Sequence, residues 1–270
     1  MLLRSYVPAS PLCDFVDDFW LYDGYRPRHL KERILPSGTV EMVINLRDDE
    51  LRIYDRVRPG DCERFSGSIV SGTYDRFFVI DTAEEASLLG VHFRPGGAWP
   101  FFSLPVSELL DTHIELDTLW GRAGSELRER LRNALCPIDK FRVLEAALVA
   151  RLSGPSLHGD AVRFAVGVLG RPGVTTVHAV TQHVGLSHRR FIEVFKTQVG
   201  LPPKLFHRVR RFQRIVAHVR QAAEPEWSHL AVDCGFFDQS HLIGDSSNSR
   251  ASAPPSLPGI SESSSDEVYI

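Results

Sequence analysis

The apolar positions change period partway along the chain. Up to about residue 105 they fall in short runs: Thr39–Leu46, Glu50–Tyr54, Ser68–Val70, Arg76–Ile80 and Ser87–Phe93. Turn residues punctuate these runs at Pro36-Ser37-Gly38, Gly67, Gly72 and Pro95-Gly96-Gly97. Such spacing predicts many short strands forming a small barrel or sandwich. The first two runs flank Arg47-Asp48-Asp49, which predicts a hairpin between them. From Pro105 the spacing turns helical, with a short Val106–Asp111 segment and amphipathic stretches at Leu116–Leu135 and Ile138–Leu152. Pro137 opens the last of these. Ser153–Asp160 (SGPSLHGD) has no apolar pattern and reads as a linker. Residues 161–243 are almost wholly helical in pattern. Residues 244–270 hold nine Ser, three Pro and four acids, and read as a disordered tail. The fold class expected is α+β: a β-rich barrel or sandwich with packed helices over residues 1–152, a linker at 153–160, an all-α domain over 161–243, then the tail.

Charge sharpens this division. Residues 1–160 carry 19 Lys and Arg against 25 Asp and Glu, a balance of -6. Residues 161–222 carry 11 basic residues against the single acid Glu193, a balance of +10, and residues 223–270 stand at -7. A strongly basic block inside an acidic chain suits a phosphate-facing surface; a solvated helix face is the plainer account. Apolar residues make 43% of the 270 and charged residues 24%, which is ordinary for a soluble globular protein. No apolar run reaches the roughly 18 residues of a membrane span, and no signal peptide is expected. Cys13, Cys62, Cys136 and Cys234 are widely spaced, which excludes a disulfide framework and a cysteine zinc site and fits a reducing cytoplasm.

Within the basic block, Val180–Ser187 has a helix-turn-helix layout. Thr181 is small, as close helix approach requires, and Gly185 four residues later suits a left-handed turn. Leu186 plugs the turn and Ser187 suits an N-cap. Phe191 and Phe195 would form the buried stripe of the next helix, leaving His188, Arg189, Ile192, Glu193 and Lys196 outward. A helix opening on His and Arg suits the major groove. The layout returns 50 residues later, with Ala231 for Thr181 and Gly235 for Gly185, ahead of Asp238-Gln239-Ser240-His241-Leu242. Between them lies a long basic helix with Lys204, Arg208, Arg210, Arg211, Arg214 and Arg220. These arginines cannot all face one way, so some should meet phosphate and others pair internally. Phe191, Phe195, Leu205, Phe212 and Trp227 read as core.

Gly185–Phe191, Phe195, Gly200-Leu201-Pro202-Pro203, Arg211 and Gly235–Leu242 resemble the DNA-binding domain of the AraC-type transcription regulators. Pro36-Ser37-Gly38 with Glu41–Asn45, and Gly90–Gly97, resemble the β-barrel sensor domain often joined to it. The resemblance implies two helix-turn-helix units on double-stranded DNA. His188, Arg189, Arg190, Glu193, Lys196, Lys204, Arg208, Arg211, Gln239, Ser240 and His241 are then the candidate DNA-binding residues. It also implies a small-molecule effector, a cytoplasmic bacterial setting and self-association through helices of residues 106–152. Candidate ligand-binding residues are Glu41, Asn45, His92, Arg94 and Trp99, with strand and turn packing as their plainer reading.

The chain leaves the family pattern after Asp245, where Ser-Ser-Asn-Ser-Arg-Ala-Ser-Ala-Pro stands in place of a buried Phe and Gly-x-x-Pro. A single-base frameshift accounts for this. With suitable synonymous codons and one inserted T, residues 245–254 would read Asp-Phe-Gln-Gln-Phe-Ser-Gly-Leu-Ser-Pro. That restores Phe, Gly, Leu and Pro 51 residues after Phe195, Gly200, Leu201 and Pro203. The plainer account is a diverged tail. Three functions stay open: a sequence-specific regulator, an inactive or dominant-negative regulator with a disrupted second unit, and a ligand-binding or enzymatic barrel with an accessory nucleic-acid module. No nucleophile–base pair supports catalysis, and no cofactor is expected. His178, His183 and His188 recur every five residues rather than three or four, so no metal site is expected either.

Overall fold

The computed structural model describes residues 2–24, 30–58, 60–82, 87–152, 159–171 and 176–221, and a short strand at Glu267–Tyr269. The first half is a two-sheet sandwich. Sheet A runs in the order β1 (Leu2–Tyr6), β2 (Val16–Asp23), β9 (Ser87–Phe93), β4 (Glu41–Asn45), β7 (Ser68–Ser71) and β10 (His113–Glu115). Sheet B runs β11 (Glu267–Tyr269), β3 (Lys31–Ile34), β8 (Phe78–Asp81), β5 (Glu50–Tyr54) and β6 (Cys62–Ser66). Every pairing is antiparallel. Strand β11 lies within the stretch expected to be disordered; residues 244–266 fall outside the described residues.

Sheet A is buried on both faces, and strand alternation assigns each residue to one of them. Phe19, Leu21, Met42, Ile44, Val70, Leu89, Val91 and Phe93 face outward into the main core, with Leu116, Trp120, Leu127, Leu131, Phe141, Leu144 and Leu148. Those partners come from α1 (Leu116–Trp120), α2 (Arg122–Asn133) and α3 (Pro137–Val149). The other face meets sheet B, where Trp20, Tyr22, Ile69 and Leu88 pack with Leu51 and Phe65. Here β9 passes under a large ring. A Cβ at Gly90 would overlap the Trp20 indole, so only glycine lets the ring lie flat on its neighbour strand.

Two local expectations are corrected. The runs around Arg47–Asp49 do not form a hairpin: β4 pairs with β7 and β9, while β5 crosses to sheet B and pairs with β6 and β8. Both edges of β4 are taken, and the intervening turn is fastened from inside. Asn45 Oδ1 accepts from the N–H of Arg47 and of Asp48, each at 2.9 Å. Arg128 donates to the carbonyls of Asn45 (2.8 Å) and Asp48 (2.6 Å). The stretch 116–135 is likewise two helices, broken at Gly121, whose φ of 60° no right-handed helix accommodates.

The second half comprises α4 (Gly159–Leu169), α5 (Val177–Val184), α6 (His188–Val199) and α7 (Pro203–Gln221). Val162, Ala165, Leu169, Val180, Phe191, Phe195, Phe206 and Val209 form its core. Leu205 and Phe212 are half-buried, and Trp227 falls outside the described residues. This half is seated directly on the sandwich. Gln213 Nε2 donates to the Pro36 carbonyl (2.6 Å) and Arg210 to that of Ser37 (3.3 Å). A Cβ at Gly38 would lie 3.4 Å from Phe206 and from Val209, and one at Gly96 would lie 3.5 Å from Val162 and Val199. The glycine ending α6, Gly200, abuts Thr73 and Val106.

Gly90→Ala is expected to destabilise the chain by roughly 1–3 kcal/mol, since the added methyl must displace Trp20 or bend β9. Denaturant unfolding and near-ultraviolet circular dichroism check this; an unchanged midpoint would refute the close approach.

Candidate effector cavity and nucleic-acid interface

The inner face of sheet A should be apolar, yet one cross-strand row on it is polar. In register, Asp18 on β2 stands beside His92 on β9, then Glu41 on β4, Ser71 on β7 and His113 on β10. Neighbours in a row approach closely enough to pair. His92 Nδ1 meets Asp18 Oδ1 at 2.8 Å, and His92 Nε2 meets Glu41 Oε1 at 3.2 Å. Ser5 on β1 donates to Asp18, and Ser71 Oγ meets His113 Nδ1 at 2.9 Å.

Electrostatics follow from this placement. Burial alone would push the His92 imidazole down. The charge of Glu41 and the hydrogen bonds to Asp18 and Glu41 overcome it and hold the imidazole well above its ordinary value. Burial works against the Asp18 carboxylate too, but hydrogen bonds from His92 and Ser5 and the imidazole charge leave its pKa lowered. The centre is an imidazolium between two carboxylates.

Three cavities meet the row. At one end a cleft of about 490 Å³ lies between the sandwich and α7, lined by Asp17, Asp18, His92, Arg210, Gln213 and Arg214. Acidic groups of the sheet thus face basic groups of the long helix. In the middle, Glu41 and Ser71 floor the space between the sheets beside Trp20, Tyr22 and Val43, with Leu51, Ile53 and Ile80 of sheet B opposite. At the far end His113 looks into a separate cleft between the sheets.

Of the five candidate ligand residues, Glu41 and His92 meet in the polar row. Asn45 is fully buried and caps the turn after β4. Arg94 is tied to the carbonyls of Cys13 and Val16 and to Asp17 (3.3 Å). Trp99 packs on the main core and, with Arg94, lines a second interdomain cleft of about 960 Å³. Sequence reasoning missed Asp18, Ser71 and His113. Asp18 and Ser71 sit at inward positions of strands whose other inward positions are apolar, and that parity was the available signal; β10 has only Glu115 on the side of His113 and offers none.

The basic half forms a helix-turn-helix at α5 and α6. Thr176 caps α5 through the N–H of Ala179 (3.1 Å), and Gly185 takes the left-handed conformation with φ 68°. Ser187 caps α6 through the N–H of Arg190 (3.3 Å), and Thr181 is buried where the helices approach. His188, Arg189, Arg190 and Glu193 are exposed, while Lys196 is half-buried. Ile192, expected outward, is half-buried against the helical core, because one α-helical turn below Ile192 lies this core's edge. Arg190 is spanned by an ion pair to Glu193 at 3.1 Å. On α7, Lys204 is exposed and Arg208 and Arg211 are half-buried. Arg214 donates to the Gly170 carbonyl (2.9 Å) and Arg210 to the seam, so these two arginines serve packing. Gln239, Ser240 and His241, with the whole second unit, lie outside the described residues. Among the described residues no helix is long and apolar enough to cross a membrane, and no group of three metal-binding side chains occurs.

Residues 4–115, the sandwich itself, match the model of a domain of unknown function, DUF6597. No curated protein matches the chain. Solved structures with a similar course include ToxT from Vibrio cholerae. An apo ToxT variant has a TM-score of 0.46 and 8% identity, covering 87% of this chain and 95% of that one. Another ToxT structure gives 0.45 and 8%, covering 94% and 97%. ToxT bound to an unsaturated fatty acid gives 0.42 and 8%, covering 90% and 96%.

The His92 centre makes stability pH-dependent. The imidazolium contribution is complete below the ordinary histidine value of 6.5 and fades as pH rises through the raised folded value. The Asp18 contribution is complete above the ordinary value of 3.8 and fades as pH falls through the lowered one. Stability should therefore fall on the alkaline side. His92→Gln should lower it by about 1.5–3 kcal/mol near pH 6, the worth of hydrogen bonds to charged groups, and flatten the alkaline fall. Unfolding midpoints of both proteins across pH check this; parallel curves would refute it.

Proposed function

We propose that the chain is a sequence-specific DNA-binding transcription regulator of the AraC type, whose β-rich half answers a small-molecule effector. The observation that carries this reading is the α5–Gly185–α6 helix-turn-helix, capped at Thr176 and Ser187, with an exposed His188-Arg189-Arg190 start in a segment of +10 charge. A recognition helix enters the major groove by its N-terminal residues. Here that end points away from the seam, because the opposite end at Gly200 is the one seated on Thr73 and Val106.

Arg189 is the leading base-reading residue. No ion pair holds it among the described residues, whereas Glu193 engages Arg190. Lys204, exposed at the start of α7, is a phosphate contact, with Arg208 and Arg211 further along the same helix. Gln239, Ser240 and His241 would serve the second unit. The effector would sit over the Asp18–His92–Glu41 centre, where the apolar space between the sheets meets the cleft beneath α7. Self-association would use α3, whose exposed stripe Ile138, Arg142, Ala146 and Val149 stands off the core. No step of catalysis is assigned.

A second reading, an inactive regulator, is favoured by the sequence after Asp245. One experiment separates the two: capture of fragmented genomic DNA by the whole chain at about 0.15 M salt, where non-specific phosphate binding is weak. Enrichment of an upstream region supports the regulator. Recovery of unselected, salt-sensitive DNA alone would overturn it in favour of the inactive form, and restoring the reading frame should then restore selection.

With an enriched site in hand, Arg189→Ala should cost about 1–3 kcal/mol on that site and relax preference at one base pair. Lys204→Ala should weaken all sequences evenly and lower the salt slope by about 1. Titrations of matched and scrambled duplexes check both, and equal losses for the two variants on both duplexes would refute the assignment.

A further inference from the structure

The far end of the polar row opens into a cleft of about 480 Å³ that the proposed function does not use. Tyr74 and His113 line it, and Tyr74 Oη and His113 Nε2 are each buried with no hydrogen-bond partner among the described residues. Buried polar groups are almost always partnered, so each such orphan asks what completes it. Aromatic rings surround both. The His113 ring lies 5.0 Å from that of Tyr74, 4.7 Å from Phe78 in an edge contact and 5.8 Å from Phe65, measured between ring centres. Tyr74 in turn lies 4.7 Å from Phe78. Ile53, Tyr54 and Phe77 continue the wall.

We propose that this aromatic cleft binds a small, planar, uncharged ring compound bearing a primary carboxamide, with the amide held by Tyr74 and His113. The chemistry of the wall selects that class. Burial pushes the Tyr74 phenol well up and pulls His113 down to about 3, so both remain neutral throughout the physiological range. The neutral floor offers a charged group seated against Tyr74 and His113 no counter-ion. The rim carries Asp55, Asp61, Glu63 and Asp111 against Arg56 and Arg58, and the Arg58 guanidinium is engaged with Asp61 at 3.2 Å. An anionic ligand would meet an excess of carboxylates.

Hydrogen-bond polarity narrows it further. The Tyr74 hydroxyl donates, so the ligand needs an acceptor. His113 Nδ1 meets the Ser71 hydroxyl, and the direction of that bond sets whether Nε2 donates or accepts. A carboxamide carries an acceptor oxygen beside N–H donors and satisfies the pair in either tautomer. Its ring extends the stack of Tyr74 and Phe78.

The test uses the full chain and benzamide, with benzoate as the charged match of the same shape. Binding followed by ligand-observed nuclear magnetic resonance should give an affinity of roughly millimolar order, as expected for so small a ligand. Benzoate should bind at least about tenfold more weakly. Tyr74→Phe should weaken benzamide about fivefold, one neutral hydrogen bond, while Leu135→Ala, at an exposed position between α2 and α3, leaves it unchanged. Without ligand, Tyr74→Phe should be as stable as the parent or more so, because it removes an unpartnered buried hydroxyl. Absence of saturable benzamide binding, equal binding of benzoate, or equal binding by Tyr74→Phe would overturn the proposal. So would loss of stability in unliganded Tyr74→Phe, which would mean that a resident water already completes the hydroxyl.

Discussion

The central strands of sheet A are covered on both faces, and most of the architecture follows from that. Its outer face needs the three helices α1–α3 to cover Phe19, Met42, Val91 and their neighbours. Its inner face needs sheet B to cover Trp20, Tyr22 and Ile69. A sheet so enclosed tolerates polar residues only where they satisfy one another. The row from Asp18 to His113 meets that condition at its Asp18–His92–Glu41 end, through one imidazolium shared by two carboxylates. At the other end the same row leaves His113 half-answered, with Ser71 on one nitrogen and no described residue on the next.

The seam between the halves rests on loops of the sandwich rather than on its strands. The Pro36 and Ser37 carbonyls take hydrogen bonds from α7, and Gly38 and Gly96 leave room for Phe206, Val209, Val162 and Val199. Carbonyls exposed at a turn are ready acceptors, and a glycine beside them lets a helix come within contact distance. The cleft walled by Asp18, His92, Arg210 and Arg214 is therefore flanked by direct joints between the halves. An occupant there would touch both, which is the physical requirement for one site to bias the presentation of another.

Legibility in the sequence tracked how local the determining interaction is. The turn between α5 and α6 was readable because Gly185, Ser187 and Thr181 act within one or two helical turns. Phe191 and Phe195 were readable for the same reason. The partner of β4 was not, since a short turn after it looks alike whether the chain folds back or crosses to another sheet. The buried fastening by Asn45 and Arg128, 83 residues apart, decides it. Gly121 was passed over because the apolar period runs through it on both sides. Glu41 and His92 are polar residues in largely apolar strands. Asp18 and Ser71 share that property and His113 does not, and the alignment of all three depends on register between strands distant in sequence. Asn45 had the same outward marks and caps the turn after it, while Arg94 is held between backbone carbonyls and Asp17.

The stretches of the sandwich that resemble a known sensor domain, Pro36–Gly38 and Gly90–Gly97, include its points of attachment to the helices. What reads as the signature of one half is partly the imprint of the other. The halves are consequently poor modules. A chimera carrying foreign helices in place of residues 159–221 would inherit a socket cut for Gln213, Arg210 and Phe206, and a foreign side chain at the place of Gly200 would collide with Thr73. Functional exchange between such proteins would have to move the loops together with the helices.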